Sequence, residues 1–265
     1  MLKEFRFAFY AIRKNVENSA ELRTSFLMNI FGMTINNTAF VAIWIFFIKS
    51  VGVINGWTPA DIVGLMGFAA LGFGIVFSVG YGIRKLPEQI ANGAFDRFLL
   101  SPKNLLNRVS TSVFSVSSIG DILFGIVCLI IYGYLINAGA EQVFIIFLLV
   151  VISAIVHFSM AVMAVSISFL FSSDASAVSE SVFQFFMTPS LFHGGAFQGG
   201  MRLFFTFIVP ALVVGTLPVE TVRDMSLEKL LIIVLVAVFW SYLAIKLFYV
   251  GVRRYESSNF MTFGN

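Results

Sequence analysis

The chain has 265 residues, of which 58% are hydrophobic and only 12% charged, and its formal net charge is +3. So few polar residues cannot cover the surface of a soluble globular protein, and the composition therefore predicts an integral membrane protein. Its apolar runs are continuous and roughly 20 residues long, which indicates membrane-spanning helices and excludes a barrel of short alternating strands. The single cysteine, Cys128, excludes an internal disulfide and a cysteine metal site.

The first 20 residues have the pattern of an amphipathic helix. Charged residues occupy some faces, and apolar residues recur at three- and four-residue spacing at Leu2, Phe5, Phe9, Ile12 and Val16. This predicts a helix over residues 1–20 that lies in the inner membrane interface rather than a signal peptide, because the charges interrupt any long apolar core. Two roles stay open for it: a topological anchor, or a contact for a cytoplasmic partner.

Six apolar runs predict six transmembrane helices in a single all-α domain over residues 1–265. In chain order we place the spans at 27–48, 62–83, 113–136, 143–171, 175–192 and 230–250. The fifth contains Glu180 and Pro189, and a second apolar run follows at 203–215. Because Pro210, Pro218 and several glycines interrupt that region, we interpret 194–228 as a re-entrant, outward-facing element. The alternative is that the fifth crossing lies further along the chain.

Lys and Arg are unevenly distributed between the two predicted sides of the membrane. Of the 17 such residues, 13 fall on one side and four on the other, namely Lys49, Arg202, Arg223 and Lys229. Because positive charge is retained on the cytoplasmic side, both termini and residues 84–104 are predicted to be cytoplasmic. The net positive charge thus reports topology and gives no reason to propose nucleic-acid binding.

Residues 84–104 form a charged insert between two apolar runs. Pro87 suits the first turn of a short helix and Gly93 its C-terminal stop, and Pro102 ends a second short helical piece. Phe95, Phe98 and Leu99 have the spacing of one apolar face. An exposed apolar face flanked by basic residues fits docking into a groove on a soluble partner. An ordinary structured loop is the alternative interpretation.

The sequence gives little support for an enzyme site, and nothing in it motivates an intramembrane enzyme. It contains no G-x-x-x-x-G-K-[ST] phosphate loop and no Gly-Lys dipeptide, so it is not expected to hydrolyse ATP itself. No Ser/His/Asp combination and no metal-ligand cluster has local spacing. We therefore predict no catalytic, cofactor-binding or metal-binding residues.

A few polar residues lie inside the predicted spans. Asp121 is the most unusual, because a carboxylate within a membrane is costly and marks either a buried hydrogen-bonded group or a transport pathway. His157 is a candidate partner, although the two residues are expected at different depths. Asn29, Asn36 and Asn37 have the character of interhelical hydrogen-bonding groups. The candidate translocation path comprises Asn29, Asn36, Asp121 and His157, and proton transfer between the last two would favour a proton-coupled secondary carrier.

The second span is rich in glycine. The step from Ala70 to Gly74 has small-xxx-small spacing, which permits close approach of helices. We expect these glycines to pack against neighbouring helices.

Two groups of residues carry a resemblance to a known family. The first is Ile90-x-x-Gly93-x-x-Asp96-x-x-Leu99-Leu100-x-Pro102, which follows an amphipathic helix and a first hydrophobic hairpin. The second comprises Thr188-Pro189, Gly194-Gly195, Met201-Arg202, Pro210 and Leu217-Pro218. In this order they resemble ABC transporter permeases of the type-2 export class, in a subfamily of uncharacterised bacterial permeases.

The resemblance implies a six-span half-transporter subunit in a bacterial inner membrane. It further implies a coupling helix that fits a groove on a separate ATPase, present in two copies, which binds ATP and Mg²⁺, and a second permease of the same or a different chain. The residues implied in ATPase coupling are Pro87, Ile90, Gly93, Phe95, Asp96, Phe98, Leu99, Leu100 and Pro102. An ion channel or a structural membrane subunit without an ATPase is the third interpretation.

Overall fold

The computed structural model describes residues 2–51, 55–170 and 175–255, and these residues form helices joined by short turns, with no strand among them. The helices are α1 (Leu2–Ala20), α2 (Arg23–Val51), α3 (Pro59–Gly80), α4 (Leu86–Ala91), α5 (Asp96–Leu99), α6 (Leu105–Ser110), α7 (Ser117–Leu135), α8 (Ala140–Ser166), α9 (Ala175–Ser190), α10 (Gly199–Leu203), α11 (Thr216–Asp224) and α12 (Leu227–Arg254). Short 3₁₀ segments occur at Tyr81–Lys85, Ile167–Leu170 and Gly194–Ala196, and a π-helical segment at Phe204–Ile208.

Five helices in the described part of the chain are long and apolar enough to cross a membrane. They span Arg23–Phe46, Pro59–Ala91, Ser117–Leu135, Ala140–Phe169 and Leu227–Arg254. The prediction of an all-helical membrane protein is therefore confirmed. A sixth span is not, because α9 has 16 residues and falls short of the roughly 20 that cross a bilayer. The predicted start of the third span at Val113 is wrong: α7 begins at Ser117, after a turn in which the Ser115 amide donates to the Ser78 carbonyl at 3.2 Å.

The helix bundle has two ends, which we call the basic end and the distal end. The basic end carries residues 84–104, and the distal end carries residues 55–58 and the starts of α8 and α12. At the basic end, α1 lies against α6, where Asn15 donates to the Thr111 carbonyl at 3.0 Å and Asn107 to the Glu4 carbonyl at 3.3 Å. Residues 172–174 of the fourth-to-fifth connection, and the end of the predicted fourth span at 171, lie outside the described residues.

Helix α3 is the centre of the bundle. Of its most apolar stretch 72% is buried, compared with 11% for α2. The helix begins with a capping box, in which Thr58 and Asp61 exchange hydrogen bonds, and with Pro59 in its first turn. It contacts α2, α7, α8 and α11, and it continues through the 3₁₀ segment into α4. The residues after α3 are therefore continuous in the chain with the helix at the centre of the core.

Glycines allow α3 to approach its neighbours closely. A Cβ atom on Gly74 would lie 2.8 Å from the backbone nitrogen of Ile122 in α7, and one on Gly125 of α7 would lie 2.6 Å from that of Leu71. On another side, a Cβ atom on Gly72 would lie 2.5 Å from Oγ of Ser153 in α8. These glycines are packing residues, as their spacing predicts.

Helix α9 and the residues after it run beside α3. Near its start, both Glu180 carboxylate oxygens accept from Arg84, which follows α3, at 2.6 and 2.9 Å. Beyond its end, the Gly195 carbonyl accepts from Asn55, which precedes α3, at 2.7 Å. Residues 180–195 therefore extend from the basic end to the distal end.

Residues 199–224 enter the bundle from the distal end and return to it. The Phe207 carbonyl accepts from Trp240 Nε1 at 3.0 Å, and the Val214 carbonyl accepts from the Ser153 hydroxyl at 2.9 Å. Trp240 and Ser153 each lie roughly 20 Å along their helices from the distal end, at about 1.5 Å per residue. Helix α11 then leads back, and Arg223 donates to the Gly56 carbonyl at 3.3 Å. The irregular backbone is thus covered by α8 and α12.

The close contact between α3 and α7 predicts a position-specific response to an added methyl group. Gly125→Ala should lower the free energy of unfolding by about 1–3 kcal/mol, because the new Cβ meets the α3 backbone, which cannot yield without separating the helices. Gly133→Ala in the same helix is the control, since its Cβ has no heavy atom nearer than 3.8 Å. Unfolding in a denaturing detergent measures both, and equal stability of the two variants would contradict the packing assignment.

Candidate functional site

The insert at residues 84–104 is mostly folded back onto the bundle. Leu86, Pro87 and Ile90 of α4 are buried, and Phe95 and Phe98 are almost completely buried. The prediction that Phe95 and Phe98 form an exposed face is therefore wrong: these rings fill the space beneath α5. The exposed apolar side chains are instead Leu99 at 45% and Leu100 at 87% relative exposure.

The helix boundaries predicted within the insert agree with its structure. Pro87 lies in the first turn of α4, and the helix ends at Ala91, just before Gly93, whose φ of +72° is the left-handed conformation that glycine favours. Asp96 begins α5, and Pro102 is exposed in the turn that follows it.

Aromatic contacts attach the insert to the 3₁₀ segment after α8 and to the residue that follows α12. The Phe95 ring packs edge-on against Tyr255 at 4.9 Å and against Phe169 at 5.5 Å between centroids. The Tyr255 hydroxyl donates to Asp96 Oδ1 at 3.0 Å, and burial together with this carboxylate raises the pKa of Tyr255 to about 12. Arg108 of α6 donates to the Phe98 carbonyl at 2.5 Å. Residues of α6, of the 3₁₀ segment after α8 and of the end of α12 therefore hold the insert in one position.

Arg84 joins the insert to α9. Besides its two hydrogen bonds to Glu180, its guanidinium lies 4.8 Å from the Phe183 ring centroid and 5.6 Å from that of Phe77. A cavity of about 270 Å³ beside this pair is lined by residues of α4, α8 and α9, including Pro87. The segment just before α4 is thus joined to α9 by an ion pair in which one Arg84 nitrogen donates to both Glu180 oxygens.

A second cavity, of about 240 Å³, lies between α2, α3, α7 and α9 and is lined by Asp121. The Asp121 side chain is 3% exposed, and its Oδ1 accepts from Asn37 at 2.7 Å. Its Oδ2 has no hydrogen-bond partner among the described residues. Asn36 and Asn37 line the same cavity, and the remaining lining is formed by Met, Phe, Leu and Ala side chains. We call this space the Asp121 cavity.

His157 occupies a different part of the bundle. Its Nδ1 lies 2.9 Å from the Ser153 carbonyl oxygen, and its ring packs between Phe73 and Phe186, with centroids 6.1 and 5.8 Å away. No ion pair or hydrogen bond joins it to Asp121 in the described part of the chain, so the pairing on which a proton-coupled carrier depends is not formed. Asn29 is exposed and donates to the Ser25 carbonyl at 2.8 Å. Of the four candidate path residues, only Asn36 and Asp121 share a cavity.

The distal end carries a network of ion pairs that sequence reasoning missed. Glu220 of α11 is buried and binds Arg202 at 2.5 Å and Lys229 at 3.5 Å. Lys229 also binds Asp224, and Arg223 lies 3.1 Å from Asp224 and 3.5 Å from Asp61. Burial would raise the pKa of Asp224, but hydrogen bonds from Lys229 and Arg223 outweigh it and lower that pKa.

This network neutralises three of the four basic residues that the charge distribution assigns to the outer side. Their partners Asp61, Glu220 and Asp224 were not singled out, because acidic residues contribute little to topology and carry no periodic signal. A sequence signal that could have indicated this network is the equal number of acidic and basic residues in the interrupted segment 199–229.

Comparison with known families agrees with this architecture. A family model described as "ABC-2 family transporter protein" matches residues 33–259, which is most of the chain. The chain belongs to the ABC-2 transporter family. No curated protein and no solved structure matches it closely enough to count as a relative.

Family membership confirms the resemblance seen in the sequence and makes the chain a multi-pass membrane permease component of an ABC transporter. ABC-2 permeases are membrane subunits that lack an ATPase domain of their own. The coupling roles assigned to residues 87–102 stay predictions, and so do the roles of Asn36 and Asp121.

The distal network predicts a stability difference between two carboxylates of this permease. Glu220→Gln should lower the free energy of unfolding by about 1–3 kcal/mol, because it leaves Arg202 and Lys229 without a buried counter-charge while Arg202 remains partly solvated. Glu228→Gln, at an exposed position of α12, should have a much smaller effect. Thermal unfolding in detergent measures both, and matching losses would mean that the network does not hold α11.

Proposed function

We propose that this chain is the transmembrane subunit of an ATP-driven ABC exporter, which forms the translocation path and is coupled to a separate ATPase subunit through residues 84–104. The observation that carries the proposal is the exposed pair Leu99 and Leu100 on an insert that is otherwise anchored to the core, in a chain of the ABC-2 family. An apolar pair on a rigid support suits docking into a groove, because little conformational entropy is lost on binding.

The proposed complex contains two permeases and two ATPase subunits, which bind ATP and Mg²⁺. The second permease, of the same or a different chain, would contact α2, which is buried over only 11% of its most apolar stretch. The resemblance to bacterial permeases favours a bacterial inner membrane, and the basic residues favour cytoplasmic termini, so that the basic end would meet the ATPase. Helix α1 would then lie in the inner interface, with Phe9 and Tyr10 exposed toward lipid.

The proposed topology has six crossings. Helix α9 supports the fifth, because contacts near its start and beyond its end reach both ends of α3. Residues 199–224 would form the re-entrant region, since such backbone is tolerated at membrane depth only where protein covers it, and α8 and α12 cover it here.

The proposal is tested by co-expressing the permease with an ATPase encoded beside its gene. We expect the two chains to co-purify and to support ATP-dependent export from cells or into inverted vesicles. Transport driven by a proton gradient alone, without association of an ATPase, would instead support a secondary carrier. Stable assembly without any transport would support a structural subunit.

The exposed leucine pair predicts where coupling fails. Leu100→Asp should reduce recovery of the ATPase with the permease at least about tenfold, because a charged side chain in an apolar groove loses the contact and adds a desolvation cost. Insertion should be unaffected, since Leu100 is 87% exposed. Leu227→Asp, at the first position of α12 at the distal end, is the control and should leave recovery unchanged.

The choice of position matters for this experiment. Phe98→Asp would place a charge among buried rings and test folding rather than docking. Normal ATPase recovery with Leu100→Asp, and also with Leu99→Asp, would remove the exposed pair from the proposed coupling mechanism.

A further inference from the structure

The Asp121 cavity combines one carboxylate and two asparagine side chains, Asn36 and Asn37, with a wall that is otherwise apolar and largely aromatic. The relative exposure of Asp121 is 3%, so the residue is 97% buried, and its Oδ2 has no hydrogen-bond partner among the residues described. Phe40, Phe73 and Phe124 line the same space. A buried carboxylate with a free acceptor oxygen is costly unless a donor or a positive charge occupies the adjoining space.

The chemistry of the walls selects one ligand class. An anionic group would be repelled by Asp121, and a bare metal ion would find only one carboxylate, with no group of three or more His, Cys, Asp or Glu residues anywhere in the described ranges. An organic ammonium group would satisfy Oδ2 and would also be attracted to the faces of phenylalanine rings. The volume of about 240 Å³ accommodates about eight water-sized groups, which matches a small substituted ammonium.

A neighbouring groove can accommodate an apolar extension of such a ligand. The groove lies between α2 and α9, has a volume of about 480 Å³, and shares Phe40, Phe73, Met187 and Leu191 with the Asp121 cavity. Apart from Arg84, Gln184 and Thr188 its lining is apolar, and the Arg84 charge is already paired with Glu180. The two spaces together therefore suit a molecule with a cationic head and an apolar body.

We propose that the Asp121 cavity binds the ammonium group of an amphipathic organic cation, with the apolar body in the groove between α2 and α9. The inference rests on the proposed function in one respect: it names such cations as the substrate class of the exporter. Asp121 binds the charge, Asn37 orients the carboxylate through Oδ1, and Phe40 and Phe73 contact the body.

The test measures binding to the full chain in nanodiscs of phosphatidylcholine, a zwitterionic lipid. Radiolabelled benzyltrimethylammonium is the probe, and unlabelled neopentylbenzene, in which carbon replaces the charged nitrogen, is the neutral competitor of the same shape. Empty nanodiscs give the signal from partition into lipid. We expect saturable binding of the cation to the wild-type chain. Competition by the neutral isostere should be at least about tenfold weaker than competition by the unlabelled cation.

Two variants locate the binding. Asp121→Asn keeps the shape of the side chain and should weaken cation binding at least about tenfold, while the weak competition by neopentylbenzene should not change. Glu141→Gln removes an equal charge at an exposed position at the start of α8 and should leave both values unchanged. Unaltered cation binding by Asp121→Asn, or an equal loss in Glu141→Gln, would overturn the proposal.

The wild-type measurement tests whether the cavity prefers a cation, even if Asp121→Asn fails to fold. Equal affinity for the cation and its neutral isostere would mean that the cavity takes apolar solutes regardless of charge, and no saturable binding would mean that it does not take the cation. Either result overturns the proposal. Failure of the proposed function would be seen separately, as an absence of ATPase association, which this binding assay does not require.

Discussion

The close packing of α3 against α7 and α8 is the constraint on which the rest of the structure depends. In lipid, apolar surface alone does not drive helices together, so association relies on close van der Waals contact and on hydrogen bonds. The glycines at 72, 74 and 125 bring α3 and its neighbours to distances at which a single added methyl group would collide with a side chain or the backbone of the facing helix. Helix α3 is thereby fixed at the centre of the bundle, and the segments at its two ends are attached to a rigid core.

Irregular backbone lies near both ends of α3, and different interactions stabilise it at each end. At the distal end, residues 199–224 are held by ion pairs of Glu220, Asp224 and Asp61 and by side chains that bind carbonyls deep in the bundle. At the basic end, the insert is held chiefly by aromatic rings, with Phe95 packed against Phe169 and Tyr255. Polar side chains therefore stabilise the end that the charge distribution places outside, and aromatic packing stabilises the end proposed to contact the ATPase.

Sequence patterns predicted the elements but not the direction in which short ones face. Continuous apolar runs located the long helices, and Pro87 and Gly93 marked the limits of α4, because each of these signals is local. The burial of Phe98 was missed because a four-residue helix such as α5 completes barely one turn, so spacing cannot distinguish its inner from its outer face. The contact of Glu180 with Arg84 was missed as well, since it joins residues 96 positions apart. The sequence indicated that Asp121 is a costly buried carboxylate, but it did not predict the cavity. Asn37, Met187 and Leu191 come together around Asp121 only through tertiary packing.

The position of α9 connects the proposed coupling site to the proposed binding site. One face of α9 packs on α3 and α8, where Phe183 lies against Phe77 and Phe186 against His157. Met187, one turn after Phe183, and Leu191, just after the end of α9, line both the cavity and the groove beside α2. The first of these residues lies only seven positions after Glu180, roughly 10 Å along the helix at about 1.5 Å per residue. In the proposed coupling mechanism, a shift of α4 would be passed by Arg84 to Glu180 and so to the wall of the cavity, without requiring α3 to leave its packed position.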